Sequence, residues 1–201
     1  MIKLIKPVVF VIALIPFIIL LVRIFQNDLG PDPVQELSLE TGEWTLQFLI
    51  LAIAMTPLRR ITNRIEFVRH RRMIGLFALF YATLHLAVWL TFLLEFRWLA
   101  ILEEVIERPY ITVGFSSYLI LLALGLTSPK FMLRKLGKNW KRLHKLVYVA
   151  AVLGVLHLLW ILRLDIGSAV FYGSLVAVLL GYRLWFYLRA GFRSRKRTKT
   201  A

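Results

Sequence analysis

Six apolar runs, separated by short charged segments, leave this chain little choice of solvent. They are Val8–Phe25, Trp44–Leu58, Met73–Leu94, Ile111–Leu126, Leu143–Leu162 and Ser168–Leu188. A helix crossing the hydrocarbon core needs about 20 mostly apolar residues, with about 17 as a lower bound. Each run meets that length with at most a few flanking residues. A composition of 59% hydrophobic and 18% charged residues, with mean hydropathy +0.72, is too apolar for a soluble domain. The expected architecture is an all-α membrane protein: one six-helix transmembrane bundle over residues 1–201, without a linker, a clear internal repeat or a soluble domain. The first run has no small-residue cleavage pattern before it and ends at Arg23, so it reads as a retained helix. Pro16 within it predicts a kink.

The chain carries a net charge of +15. Its cations sit between apolar runs, so membrane topology explains them better than a nucleic-acid partner does. The N-terminus holds Lys3 and Lys6, and the connection RRITNRIEFVRHRR holds six arginines. Six Lys or Arg fall in Ser128–Arg142 and six more from Arg189 onward, whereas the alternate connections hold only Arg97, Arg108 and Arg163. Cytoplasmic loops carry the Lys and Arg excess, so both termini are expected on the cytoplasmic side. Ten of the eleven acids fall in the opposite connections, which makes the outer surface negative. The absence of cysteine rules out disulfides, thiolate metal sites and thiol-redox chemistry.

Four histidines are the polar groups to explain: His70, His85, His144 and His157. The third and fifth runs point the same way across the membrane, so depth can be counted from Arg72 and Arg142. His85 lies 13 residues past its marker and His157 15 past its own, a difference of about 3 Å at about 1.5 Å per residue. Histidines from facing helices at one depth suit axial ligation of a haem, whose apolar body fills the space between helices. The alternative is a histidine that hydrogen-bonds a neighbouring helix, although intramembrane ionisable groups are functional by default. His144 lies about 20 Å along the axis from His157, too far to share one ion but suited to a second, inner site. Those two residues are about 140° apart around an ideal helix, so the helix must depart from ideality or the haems must lie off its axis. His70 is the remaining histidine and a candidate partner for His144. It sits among arginines, where a solvated loop histidine is the competing reading. Arg71 and Arg72 are candidate propionate contacts, since guanidinium pairs with carboxylate.

The outer segment NDLGPDPVQELSLETGEW cannot carry a helix through Pro31 and Pro33, and it offers an acidic docking face or simply a solvated loop. EFRWLAILEEVIERPY spaces Trp98, Leu99, Leu102, Val105 and Ile106 as a short amphipathic surface helix ended by Pro109. Arg108 at its end could reach a haem propionate. Gly75, Gly114, Gly125 and Gly154 could let a haem or a helix approach closely.

The stretches LGPDPVQELSLETGEW, TPLRR, RRMIGLFALFYATLHL, RPYITVG and RKLGKNWKRLHKLVYVAAVLGVLHLLW resemble the MsrQ (YedZ) family, within the ferric-reductase-like transmembrane superfamily. These are haem-binding membrane subunits of a bacterial periplasmic methionine sulfoxide reductase system, and the resemblance covers nearly the whole chain. It implies haem b, one or two per chain, with the family's haem histidines falling on His85, His144 and His157. In the distantly related NADPH oxidases the fourth ligand would fall near position 71, which is Arg71 here, with His70 one residue away. The resemblance implies an inner-membrane protein that carries electrons from a cytoplasmic flavin reductase or the quinone pool to a periplasmic molybdopterin reductase, MsrP. That partner reverses methionine sulfoxide formation. FMN is also associated with the family, although this chain has no G-x-G-x-x-G and no soluble flavin domain. Competing expectations are a dihaem ferric reductase or cytochrome b561-like protein acting directly on a small substrate, and a transporter whose histidines relay protons. A red preparation with a low-spin haem spectrum is expected; a colourless one would favour the transporter.

Overall fold

The computed structural model describes residues 2–162 and 166–199, the first four and the last ten of these by backbone alone. Every described element is helical: α1 (Ile2–Phe25), α2 (Pro33–Thr62), α3 (Glu66–Val88), α4 (Trp98–Glu107), α5 (Pro109–Leu126), α6 (Lys130–Leu136), α7 (Lys138–Leu143), α8 (Val147–Ile161) and α9 (Gly167–Lys199). A π-helical turn, Trp89–Leu93, follows α3, and a 3-10 turn, His144–Leu146, joins α7 to α8. Five segments are long and apolar enough to cross a membrane: Lys6–Phe25, Glu66–Leu93, Pro109–Leu126, Lys138–Ile161 and Gly167–Arg189. Arg163 and Asp165, expected in the last connection, lie outside the described residues.

The remaining long helix, α2, is too polar to join those five, yet it is the centre of the bundle. It packs against α3, α8 and α9 and buries Leu37, Thr41, Leu46, Phe48, Leu49, Ile50, Ala52, Ile53 and Met55. Three of its polar side chains are paired, one with a neighbouring helix and two with α2 itself. The Gln47 amide donates to the Tyr172 hydroxyl at 2.9 Å, and Thr41 and Thr45 donate to the carbonyls one turn back at 2.6 and 2.9 Å.

Helix α2 also begins far earlier than its apolar run. Asp32 caps it, accepting from the Gln35 amide at 3.0 Å, and Pro33 takes the first helical position. There the missing N–H and fixed φ favour a helix start. The prolines therefore end the connection rather than the helix, and Gln35–Trp44 is helical. Helix α3 likewise begins at Glu66, which places His70, Arg71 and Arg72 on a helix instead of in a loop.

Pro16 leaves a gap in the α1 ladder, and α3 fills it. The fully buried Tyr81 hydroxyl accepts from the Phe17 amide at 3.1 Å and donates to the Ala13 carbonyl at 2.9 Å. It thus bridges two groups that an uninterrupted helix would bond to each other. The Tyr81 ring lies 8° from parallel to Phe48, with centroids 5.2 Å apart, which ties α1, α2 and α3 at one level. At the acidic end of the bundle Arg23 pairs with Glu36 at 3.2 Å and with Glu40, joining α1 to α2 a second time. Val8, Val11, Ile12 and Ile18 on α1, and Val170, Phe171 and Val178 on α9, remain exposed as an apolar outer belt.

Tyr81→Phe keeps the ring stack and orphans the Phe17 amide and the Ala13 carbonyl. A loss of about 1–3 kcal/mol is expected, seen as a lower thermal unfolding midpoint in detergent; an unchanged midpoint would refute the bridging role.

Candidate cofactor-binding site

Two cavities of similar size open at the two histidine levels. One, called outer because it opens beside the acidic connections, is about 520 Å³, lies among α2, α3, α5 and α8 and includes His85 and His157. Its walls are mostly apolar, with Leu46, Leu49, Ala82, Leu86, Phe115 and Leu158 among them. Volumes of about 300–1,000 Å³ are usual for cofactor sites.

The two imidazoles have ring centroids 6.1 Å apart and planes at 85°. His85 Nδ1 lies 2.8 Å from the Ser38 carbonyl oxygen, and His157 Nδ1 lies 2.7 Å from that of Tyr110. A carbonyl only accepts, so each Nδ1 carries the proton and each Nε2 keeps its lone pair. This is the arrangement a metal-ligating histidine needs: one nitrogen fixed by a backbone acceptor, the other free to bind. Two imidazoles bound to one iron from opposite sides, with metal–nitrogen bonds of about 2 Å, have centroids about 6 Å apart. Among the described residues no third His, Asp or Glu gathers with them as a bare-ion site. A metal that brings its own equatorial ligands fits this donor set.

Two glycines make room for the rings. A Cβ on Gly114 would stand 2.6 Å from the His157 ring, and one on Gly42 would stand 3.3 Å from the His85 ring. Thr41 adds a hydroxyl 3.4 Å from His85 Nδ1. Gly114 stands out in the sequence as a helical glycine. Gly42, Ser38 and Tyr110 do not, because their roles are backbone roles on a neighbouring helix. The signal available for Gly42 is its residue type: glycine within a helix costs about 1 kcal/mol relative to alanine, so its presence asks for a close approach.

Arg108 lies at the rim of the outer cavity with Glu104 and Tyr110. It pairs with Glu104 at 2.8 Å and donates to the Tyr110 hydroxyl at 3.0 Å. The hydrogen bond to Tyr110 first, and the carboxylate of Glu104 after it, push its pKa above the ordinary arginine value, so it is a permanent cation beside the cavity.

The inner cavity, about 510 Å³, includes His144, Arg71, Arg72, Lys141, Lys145 and Arg183. His144 stacks on Trp140, with centroids 3.9 Å apart, and its Nε2 lies 3.2 Å from the Thr127 hydroxyl. That hydroxyl donates to the Ala123 carbonyl at 2.7 Å, so it accepts from His144. Arg72 donates to Ser128 at 3.0 Å, and Gly75 faces open space in which a Cβ would meet nothing. The cavity thus offers one histidine, an apolar floor and a rim of cations. His70 is not among its lining residues. It is buried on α3, with Nδ1 2.8 Å from the Glu66 carbonyl and Nε2 without a partner.

The 3-10 turn at His144 bears on the angular mismatch along this segment. A 3-10 residue turns about 120° where an α-residue turns about 100°. Three such residues reduce the separation of His144 and His157 from about 140° to about 80°.

The family of ferric reductase like transmembrane components matches residues 9–155. The chain is 45% identical to the protein-methionine-sulfoxide reductase heme-binding subunit MsrQ of Xanthomonas euvesicatoria pv. vesicatoria (strain 85-10), over 86% of this chain and 79% of that one. It is 47% identical to the MsrQ subunit of Xanthomonas oryzae pv. oryzae (strain MAFF 311018), over 82% and 75%. Identity to the Herminiimonas arsenicoxydans subunit is 43%, over 91% and 85%. No solved structure matches the chain.

Gly114→Ala is expected to displace the His157 ring and break its bond to Tyr110, with loss of most of the low-spin haem spectrum in purified protein. Gly42→Ala, where the clash is milder, should lose less. Equal retention in both variants would refute the close-approach role.

Proposed function

The chain belongs to the MsrQ family of haem-binding subunits, among the ferric-reductase-like transmembrane components, and from that premise we propose that it carries electrons across the bacterial inner membrane to a periplasmic methionine sulfoxide reductase. The observation that carries this reading is the His85–His157 pair, 6.1 Å between centroids, with both Nδ1–H groups held on backbone carbonyls. The haem, taken as b type, is held without a thioether bond, because that attachment needs cysteines and the chain has none. When bound, it supplies a centre that gains and loses one electron.

The residues of the chain do the rest. His85 and His157 hold the outer haem, Gly42 and Gly114 let their rings stand close, and Arg108 pairs with a propionate. A second haem b occupies the inner cavity, with His144 as its histidine and Arg71 and Arg72 on its propionates. His70 takes no part, because it does not line that cavity. Helix α2 is the sixth span, and the basic ends of the helices face the cytoplasm with both termini. Electrons enter at that basic end from a cytoplasmic flavin reductase or from the quinone pool; FMN, where it takes part, sits on the donor or against the inner cations. They leave at the acidic end toward a molybdopterin partner of the MsrP type, which performs the sulfoxide chemistry.

His85→Ala and His157→Ala should each lose the low-spin spectrum of the outer haem, and His144→Ala should lose the inner haem, read as one haem fewer per chain. If both outer variants keep their full spectrum, the ligand assignment is wrong. Chemically reduced protein should be reoxidised by a purified MsrP-type reductase with its sulfoxide substrate. Fast reoxidation by ferric chelates, with none by that reductase, would favour direct reduction of a small substrate.

A further inference from the structure

The two cavities meet at two side chains. Leu49 on α2 and Leu121 on α5 line both, and among the described residues no others do. Leu49 is 1% exposed and Leu121 4%, so each is enclosed by protein while facing a cavity on either side. One turn before Leu121, the Ser117 hydroxyl is spent on the Ala150 carbonyl at 2.9 Å. Ala150 and Ala151, behind it on α8, are fully buried. The partition is therefore aliphatic, and the Ser117 hydroxyl one turn away is tied off. A buried water needs two or more polar partners, and this wall presents none.

We infer that Leu49 and Leu121 are the septum across which the two cofactors exchange electrons. They are positioning residues: they set how closely the two macrocycles approach and keep the gap between them dry. The inference rests on the two-cofactor reading above. The exchange balances without a co-reactant, since one iron loses the electron that the other gains and no proton moves, so the wall needs no polar relay. A dry wall also raises both potentials, because a low-polarity surrounding disfavours the charged ferric state.

The test uses the full chain, purified and loaded with haem, in a potentiometric titration read at the haem absorbance. Leu49→Asn and Leu121→Asn place an amide, and the water it admits, against both cofactors. Both midpoint potentials are expected to shift downward in each variant, with two haems retained per chain. Leu49→Met and Leu121→Met, apolar and of similar volume, should leave both potentials where they are. Should the amide cost haem or fold, Leu49→Thr and Leu121→Thr carry a hydroxyl in a smaller side chain and should shift both waves the same way. Movement of a single wave, or of neither, in variants that keep two haems overturns the septum. A wild-type preparation that binds one haem per chain instead overturns the two-cofactor reading, and haem quantification separates the two failures.

Discussion

An imidazole in an apolar interior must commit one nitrogen before it can offer the other. Water is absent to accept its N–H, and an unbonded polar group there is costly. In this protein the Nδ1–H groups of His85 and His157 rest on the carbonyls of Ser38 and Tyr110, and neither carbonyl lies on the helix of the histidine it serves. Much of the outer half of the bundle follows from those two bonds. Helix α2 must begin before Ser38, α5 must begin at the level of Tyr110, and both must present a glycine where the ring lies. Helix starts capped by Asp32 and opened by Pro33 and Pro109 meet that need.

The same demand bears on why a helix too polar to count among the five apolar spans sits inside the bundle. Gln47 would be costly against lipid and finds the Tyr172 hydroxyl on α9, while Thr41 and Thr45 bond carbonyls one turn back on α2 itself. Tyr81 answers the converse problem, repairing from α3 a ladder that Pro16 breaks in α1. Polar groups thus hold the register of neighbouring helices, while the apolar belt of α1 and α9 faces outward.

The two cavities differ in how finished they are. The outer one has its histidines turned, tautomers set and rings accommodated. The inner one has a single histidine, engaged with Thr127, and a rim of five cations. Charge there is suited to carboxylates and to anionic donors alike, whereas the outer cavity has Arg108 already shared with Glu104 and Tyr110.

The helical, membrane-spanning character was legible in the apolar runs, because length and hydropathy are local properties. Matched depth was legible too, since rise per residue is nearly constant, and it paired His85 with His157 before any contact was known. Four features were not legible. Helix α2 starts at Pro33 because proline is welcome at a first turn, so the two prolines looked like a longer break than they are. His70 and Arg71 are neighbours in sequence, but Arg71 lines the inner cavity and His70 does not, because successive residues on a helix point about 100° apart. The 3-10 turn at His144 reset the angle between levels. The seats of the histidines at Gly42, Ser38 and Tyr110 depend on which helix lies beside which. The sequence by itself determined the solvent, the helical character and the depths of the histidines. Only the tertiary structure decided which backbone carbonyls hold the imidazoles, which glycines admit them, and that two leucines stand between the cavities, because each of these is a contact between helices far apart in the chain.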